Sequence, residues 1–550
     1  MMGVISTLKT NCKDCYKCLR SCPVKAIQVV DGHAQVVAER CIGDAQCVRI
    51  CPQEAKVVRE DLPLVQRWLD QNETIVVSIA PSFAGCLDWD LQTLSGALRR
   101  RGVFAVEETA TGAALVARAH HNLGAGPWLT SACPAVVNLV EIYFPQLVQY
   151  LAPIVSPMIA HGRMLKEMYD KARVVFVGPC VAKKAEMMEV AGAVDAALTF
   201  QELLLWLEGE DLPEMSPKPS EGKTAWGEEA ARIFPLDGGQ LATIGQSEFQ
   251  AGLAISGIEE CLDFLEHFDP EIAPQFTELL ACRGGCIAGP MGTKEGLWQA
   301  KKRLQLYAQK PLVIPKIEVE LGRGFQAKPI ENQEPSPSEL EEILERMGKY
   351  DRADELNCGA CGYNSCREKA KAVYCGMAEV EMCIPNMRAR AESLANLVLG
   401  STPNGIIVTD EDLLVRDLNP QAEKMFSTTL GRIKGQPLAL LVDPEYFTQA
   451  LATGEPVEAQ VTYGSLQTSQ YIFTVPKHRI VVGIFTDITT QTKQRRELEK
   501  MRQETVGRAQ EVIEQQMRVA QEIAGLLGET TAQTKVLLTK LMEIIGQGGE

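Results

Sequence analysis

Apolar and polar stretches alternate unevenly along this chain, and the alternation divides it into segments. DLPLVQRWLDQ near Asp61 spaces its apolar residues as an entry helix would, and the apolar run Ile75–Ile79 stops at Ala80, Pro81 and Ser82, the profile of a buried strand feeding a loop. A second apolar segment predicts a helix over 137–151. EGEDLPEMSPKPSEGKTAWGEE at 208–229 is polar and Pro-rich and reads as a surface insertion, and QAKPIENQEPSPSEL reads as a linker, because Pro and Ser resist packing. SELEEILERMGKY then predicts a helix, and from 391 to 488 apolar strands alternate with short polar turns. From Thr490 the period becomes helical: Leu498, Met501, Thr505, Ala509, Val512, Gln516, Val519, Ile523 and Leu526 form a seam spaced three or four apart. Such a seam predicts a two-helix coiled coil. Gly525 and Gly528 allow a break before a second amphipathic piece at 531–545.

Composition narrows the classes. The chain has 550 residues, too many for one domain, and 55 basic against 71 acidic residues give a net charge of −16, which disfavours nucleic acid and anionic membrane as partners. No apolar run is long enough to span a bilayer, and MMGVISTLKTNCKDC lacks the basic-then-apolar pattern of a secretory leader, so a cytoplasmic location is expected. Eighteen cysteines in such a chain argue for metal ligation rather than disulfides.

Their spacing is specific. Cys12, Cys15, Cys18 and Cys22-Pro23, then Cys41, Cys47 and Cys51-Pro52, follow the bacterial ferredoxin run, in which the fourth cysteine of each run serves the other cluster. One cluster then takes Cys12, Cys15, Cys18 and Cys51. The second takes Cys22, Cys41 and Cys47, with Asp44 of CIGDAQC at the fourth position. Either Asp44 ligates a [4Fe-4S] cluster through oxygen or that site holds three irons. A third motif, CGACGYNSC followed by Cys383, offers Cys358, Cys361, Cys366 and Cys383 and resembles the small [4Fe-4S] module of corrinoid iron-sulfur proteins. Gly359, Gly362 and Asn364 suit a tight loop there. Zinc is the alternative metal for thiolates in both regions. Cys86, Cys261 and Cys375 remain as small buried hydrophobes, Cys375 in the core of a helix between ligands.

Three further segments, Cys133 in TSACP, Cys180 in GPCVAKKAE, and Cys282 with Cys286 in ELLACRGGC, resemble the signatures of [FeFe]-hydrogenases over about residues 75–320. The resemblance implies that Cys133, Cys180, Cys282 and Cys286 hold the [4Fe-4S] part of an H-cluster, with Cys286 bridging to a di-iron centre that carries CO and cyanide. Lys183, Glu186, Glu278, Gly285 and Gly289 fall on the same pattern, and Ala80, Pro81 and Ser82 resemble the family's loop at a cyanide ligand. Lys183 suits a charge-assisted hydrogen bond to a buried anionic ligand.

Departures from the family pattern point to slow turnover. Ala132 stands where catalytic members carry the cysteine that donates protons, Gly178 and Leu280 replace methionines beside the di-iron site, and Ala152 replaces a serine. Acidic relay residues are missing in a register that aligns near Val116 and Ala117. A substitute route through Glu186 or water is the alternative. Residues 391–488 are similar to a PAS domain, with a strand, a turn at Asp410–Asp412, a second strand, the NPQAEKMF helix and a closing FTDIT strand. Whether this domain binds a cofactor is left open.

The expected architecture is multidomain, α/β and α+β: a two-cluster ferredoxin-like domain at 1–61, an H-cluster domain at 62–325, a linker at 326–338, a [4Fe-4S] module at 339–390, a PAS domain at 391–488 and a helical tail at 489–550. Resemblance and departures together imply a sensory [FeFe]-hydrogenase that binds or slowly oxidises H2. It would relay its redox state through the clusters and PAS domain to a separate kinase or phosphatase and form a homodimer through the tail. The alternatives are a working hydrogenase exchanging electrons with a ferredoxin-like carrier, and an iron-sulfur scaffold without the di-iron unit.

Overall fold

A computed structural model of the chain describes residues 3–210, 227–245, 252–292, 296–331, 333–527 and 538–544. Most of the insertion at 208–229, and of the piece at 531–545, lies outside them. The chain divides into two compact units, Met1–Met387 and Arg388–Glu550.

The first unit opens with two antiparallel pairs, β1 (Ile5–Thr7) with β4 (Lys56–Val58) and β2 (Ile27–Val30) with β3 (His33–Val36). Between the strands lie two copies of one loop. Helices Lys17–Ser21 and Gln46–Ile50 are each entered through a left-handed residue, Tyr16 (φ 52°) and Ala45 (φ 56°). Each is left through a cysteine whose Sγ accepts the N–H four residues on: Cys22 from Ala26 at 3.3 Å and Cys51 from Ala55 at 3.4 Å. In this repeat Asp44 occupies the place of Cys15.

The next strands are β5 (Ile75–Ile79), β6 (Ala105–Glu108), β7 (Trp128–Leu129), β8 (Arg173–Gly178), β9 (Ala196–Thr199), β10 (Gly252–Ser256) and β11 (Phe276–Leu280). They form two parallel sheets, ordered β6-β5-β8-β9 and β10-β11-β7. β5 and β11 are buried at every position, as interior strands of covered parallel sheets are. Ile75, Val77 and Ile79 pack with Phe83, Leu94 and Leu98, while Val76 packs on the opposite face with Ala110, Ala113 and Ile159. The entry helix is Leu62–Asp70. The apolar segment expected as one helix over 137–151 divides into the helix Pro134–Tyr143 and a 3-10 turn, Pro145–Tyr150. Pro145 lacks the N–H that would continue the helix.

Buried ions join these elements. Lys184 is 1% exposed; its Nζ donates to Ala197 O at 2.5 Å and pairs with Glu202 at 3.0 Å and Asp61 at 3.4 Å, fastening the end of the ferredoxin-like region to the large sheet. The expected linker is anchored at its start, where Glu141 accepts from Gln326 N–H at 2.9 Å and Lys328 Nζ at 2.7 Å. The helix Pro337–Arg346 starts with a capping box of Ser336 and Glu339, and Cys366–Tyr374 follows. This module docks on β2 and its turn, with Val29 N–H donating to Met377 O at 3.0 Å and Gln28 Nε2 to Gly376 O at 2.8 Å. Cys375 sits at the C-terminal end of Cys366–Tyr374 and is only half-buried; its thiol meets Gln333 O. It is therefore not the core residue expected.

The second unit holds one antiparallel sheet of β12 (Gly405–Asp410), β13 (Val415–Leu418), β14 (Val457–Tyr463), β15 (Leu466–Val475) and β16 (Ile480–Asp487), ordered β13-β12-β16-β15-β14. Inward residues alternate along β12 and β16 and pack with helix Glu445–Thr453 through Ile407, Phe447, Val481 and Phe485. Gly483 is required here, since a Cβ would lie 2.4 Å from the Phe447 ring. Asn419 caps the helix Pro420–Met425 by accepting from Ala422 N–H at 2.9 Å. The sheet leads into one helix, Thr489–Leu527, on which Leu498, Met501, Val512, Val519 and Ile523 are all exposed.

Candidate metal centres

The four hydrogenase-type cysteines reach one place because of where parallel strands end. Cys133 follows β7, Cys180 follows β8 and Cys282 follows β11, with Cys286 one turn further in the 3-10 turn Cys286–Ala288. Loops at the carboxyl ends of parallel strands are where such sheets place ligands. All four line one cavity with Pro179, Leu280, Gly289 and Pro290. Gly285 (φ 92°) makes the turn between Cys282 and Cys286, and a Cβ there would meet Pro235 O at 2.2 Å.

The chemistry of this cavity fits an iron-sulfur cluster. Burial, then the Cys133 charge, pushes the Cys180 thiol up to about 11. Burial likewise raises Cys286 and Cys282, reinforced by their cysteine neighbours. Buried thiolates this close need a cationic core to compensate them, which bound iron supplies.

Around the cavity the expected residues separate by role. Ser82 is fully buried at the carboxyl end of β5, and among the described residues its Oγ has no hydrogen-bond partner. Pro81 precedes it in the same loop, which Ala80 N–H ties to Val177 O of β8 at 2.8 Å. Ala132 is buried beside Cys133. Lys183 Nζ donates to Ala132 O at 3.1 Å and Glu186 Oε2 at 2.7 Å. Glu186 also accepts from Ser156 Oγ and Arg323 Nη1, both at 2.9 Å. The proton route expected through Glu186 would run through a carboxylate whose oxygens are engaged by two cations and a hydroxyl. Gly178 has its reason in Phe176, whose ring would lie 2.7 Å from a Cβ at that position. In the missing relay register, Val116 and Ala117 lie buried in the helix Ala110–His121.

Glu278 of β11 is fully buried and accepts N–H bonds from Gly238 at 3.1 Å and Leu241 at 3.0 Å; burial pushes its carboxyl up to about 8. Sequence reasoning places it on the family pattern without a role. The buried Lys184 and His161 escape such reasoning entirely, because no local spacing marks an ion or imidazole whose partners are distant in the chain.

In the ferredoxin-like loops the thiols act on one another in two groups. Burial raises the Cys18 thiol, opposed by Lys56 and reinforced by Cys12 and Cys51. Cys22 is pushed up to about 12 by burial and then by Asp44, with Cys41 adding to it. Burial and then Asp44 also raise Cys47. Cys15 is exposed. Cys12, Asp14 and His33 can bring ligand atoms within 4.8 Å of one another, a grouping that shares Cys12 with the first cluster set. Asp44 Oδ2 is buried without a partner among the described residues, and burial pushes this carboxyl up to about 6 against three backbone N–H groups. Asp44 and Gly43 also line the four-cysteine cavity.

Cys358, Cys361, Cys366 and Cys383 line a separate cavity with Lys349, Tyr363 and Lys369. Gly359 (φ 69°) and Gly362 (φ 99°) make its turns. This cavity abuts the Cys22 site: Arg20 Nη1 donates to Ala360 O at 3.1 Å, and Gly362 packs so tightly on Leu19 that a Cβ would meet its Cγ at 2.9 Å. Cys22 and Tyr363 belong to one apolar cluster, with Cys361 packed against it.

Known proteins match these regions separately. Residues 73–290 match the iron-only hydrogenase large subunit, C-terminal domain; 5–52 match the 4Fe-4S dicluster domain; 354–385 match an Fe-S cluster family; and 394–479 match the PAS fold. Among curated relatives, the NADP-reducing hydrogenase subunit HndD of Solidesulfovibrio fructosivorans is 28% identical over 53% of this chain and 64% of its own length. Iron hydrogenase 1 of Clostridium pasteurianum is 28% identical over 32% of this chain and 39% of its own. The chain thus spans less than two thirds of either relative. A solved variant of the [FeFe]-hydrogenase HydA1 from Chlamydomonas reinhardtii aligns over 50% of this chain and 100% of its own, at 16% identity and a TM-score of 0.38. This chain is an iron-sulfur protein that combines a dicluster domain, an [FeFe]-hydrogenase-like domain and a PAS domain. Among the described residues no helix is long and apolar enough to cross a membrane.

Proposed function

We propose that this chain is a sensory-type [FeFe]-hydrogenase that binds or slowly oxidises H2 and passes the resulting redox state along its clusters toward the PAS domain. The observation that carries the reading is the single cavity formed by Cys133, Cys180, Cys282 and Cys286, with Ala132 beside it. Those four cysteines would hold the [4Fe-4S] part of an H-cluster, and Cys286 would share its sulfur with the di-iron unit, which supplies the H2 chemistry when bound. Ser82, with Pro81 setting its loop, would donate to an anionic ligand of that unit. Lys183 keeps an N–H for the same purpose beyond its two partners, since an ammonium has three. Ala132 offers no proton, and the buried helix around Val116 carries no acid in the relay register. Proton transfer needs groups in hydrogen-bond reach or one water apart, so turnover is slow.

Cys12, Cys15, Cys18 and Cys51 would hold one ferredoxin-type cluster, and Cys22, Cys41, Cys47 and Asp44 the other. The partnerless Asp44 Oδ2 among three thiols supports oxygen ligation over a three-iron site. The cytoplasmic output would be a kinase or phosphatase docking on a dimer made by the exposed seam of helix Thr489–Leu527.

The test is an anaerobic infrared spectrum of protein matured with the di-iron unit, recorded under argon and under H2. CO and cyanide bands that shift with H2 are expected. Their absence leaves the scaffold reading, while bands accompanied by fast turnover would make the chain a working hydrogenase serving a ferredoxin-like carrier.

A further inference from the structure

The cavity of Cys358, Cys361, Cys366 and Cys383 contains a lysine that its cysteine spacing does not require. Lys369 is 1% exposed and projects from the helix that begins at Cys366. Its Nζ donates to Val380 O at 2.9 Å, and among the described residues no carboxylate forms an ion pair with it. It lines the same cavity as Cys358, Cys361, Cys366 and Cys383. A second lysine, Lys349, lines the same cavity and is 8% exposed. Burying an ammonium without a counter-ion is costly. A cluster with four thiolate ligands carries net negative charge in either redox state, and more when reduced, so it is the natural counter-ion. The same attraction works in reverse: a fixed positive charge in a water-poor site favours the reduced cluster over the oxidised one.

Position adds to charge. From Cys22 the chain runs through Ser21 to Arg20, whose guanidinium reaches Ala360 O at 3.1 Å, and Cys361 is the next residue. Lys25 feels both Cys22 and Cys361. On its other side the Cys22 site contains Asp44, which lines the four-cysteine cavity. The sites therefore form a row: four-cysteine cavity, Asp44 site, then the 358–383 cavity. Asp44 at the middle site replaces a thiolate of equal charge, so what separates the two sites is the buried lysines at the last one, which attract added electrons.

We propose that the cluster held by Cys358, Cys361, Cys366 and Cys383 is the electron-accepting end of this row, and that Lys369 is the residue that sets its potential above that of its neighbour. In the transfer step one electron leaves the reduced cluster at Cys22, Cys41, Cys47 and Asp44, which is oxidised. The 358–383 cluster takes it up and is reduced. No bond is made or broken and Lys369 keeps its proton. The source is H2, which yields two electrons and two protons at the four-cysteine site, so the physiological direction rests on the function proposed above.

The test needs no H2. The full chain, reconstituted with iron and sulfide, is titrated against dithionite with redox mediators and followed by electron paramagnetic resonance. Cys366→Ala identifies the signal of the third cluster by its loss. In the unaltered chain the third cluster is expected to reduce at a higher potential than the Asp44-site cluster. In Lys369→Met, at unchanged iron content, its reduced-to-oxidised ratio at a given potential is expected to fall at least tenfold, a shift of about 59 mV for one electron. Lys369→Arg keeps the charge and stays near the unaltered value. A third cluster that reduces below the Asp44-site cluster overturns the proposal, even if Lys369→Met cannot hold its cluster. So does a potential that Lys369→Met leaves in place. Reduction by dithionite in this order, with no reduction by H2 in protein matured with the di-iron unit, would instead count against the hydrogenase reading alone.

Discussion

Single residues decide how protons behave in this molecule. With Ala132 in place of a proton donor, Ala132→Cys restores a thiol beside Cys133 and raises H2 turnover of the matured protein on the order of 10²-fold. An assay of H2 evolution from a reduced dye checks this, and an unchanged rate would place the limit elsewhere. His161 offers a separate test. Its Nδ1 meets Ser78 Oγ at 2.7 Å, its Nε2 is buried without a partner, and burial alone pulls its imidazole down to about 3. The unfolded chain binds a proton near pH 6.5 that the folded chain refuses. Stability is therefore full above 6.5 and falls by about 1.4 kcal/mol per pH unit between 6.5 and 3. His161→Gln should make the denaturant midpoint less steep in pH between 6 and 4. At Asp44 the expected outcome is chemical: Asp44→Ala should cost one iron per chain by metal analysis, whereas a three-iron site would show the same count.

At the scale of elements, the buried ions are what hold neighbouring segments together. Lys184→Met leaves Glu202 buried without its cation and Asp61 with Arg59 alone, a change that costs about 3–5 kcal/mol; urea unfolding of the variant should show the lower midpoint. The helix Thr489–Leu527 poses the opposite case, an apolar seam that its own chain leaves exposed. The double variant Val512→Glu, Val519→Glu should convert a dimer to a monomer in sedimentation velocity, and a chain that is monomeric without substitution would refute the coiled coil. Most of these elements are legible in the sequence. The entry helix, the strand ending at Ala80, the capped helix after the linker and the order of the PAS elements all follow from local apolar period and capping residues. The expectation of one helix over 137–151 fails because it weighs apolar content over Pro145. Cys375 departs from its expected place because helix length, not the ligands on either side of it, decides where it falls.

For the whole molecule, the sequence by itself determined which residues can bind iron and how each loop is shaped. Cysteine spacing, the glycines at 359, 362 and 285, and the internal repeat that aligns Asp44 with Cys15 act within a few residues, where backbone geometry is set locally. The likeness to hydrogenase signatures also groups Cys133, Cys180, Cys282 and Cys286 into one set from their motifs alone. Only the tertiary structure decided what those loops face: Asp44 on the wall of the four-cysteine cavity, the 358–383 module seated on Leu19 and Arg20, and Lys369 buried among thiols. The partners of Glu186 were decided in the same way, since Arg323 lies far along the chain from it. Proximity of this kind depends on which apolar faces pack together and which distant charges satisfy one another, and neither leaves a mark in local spacing.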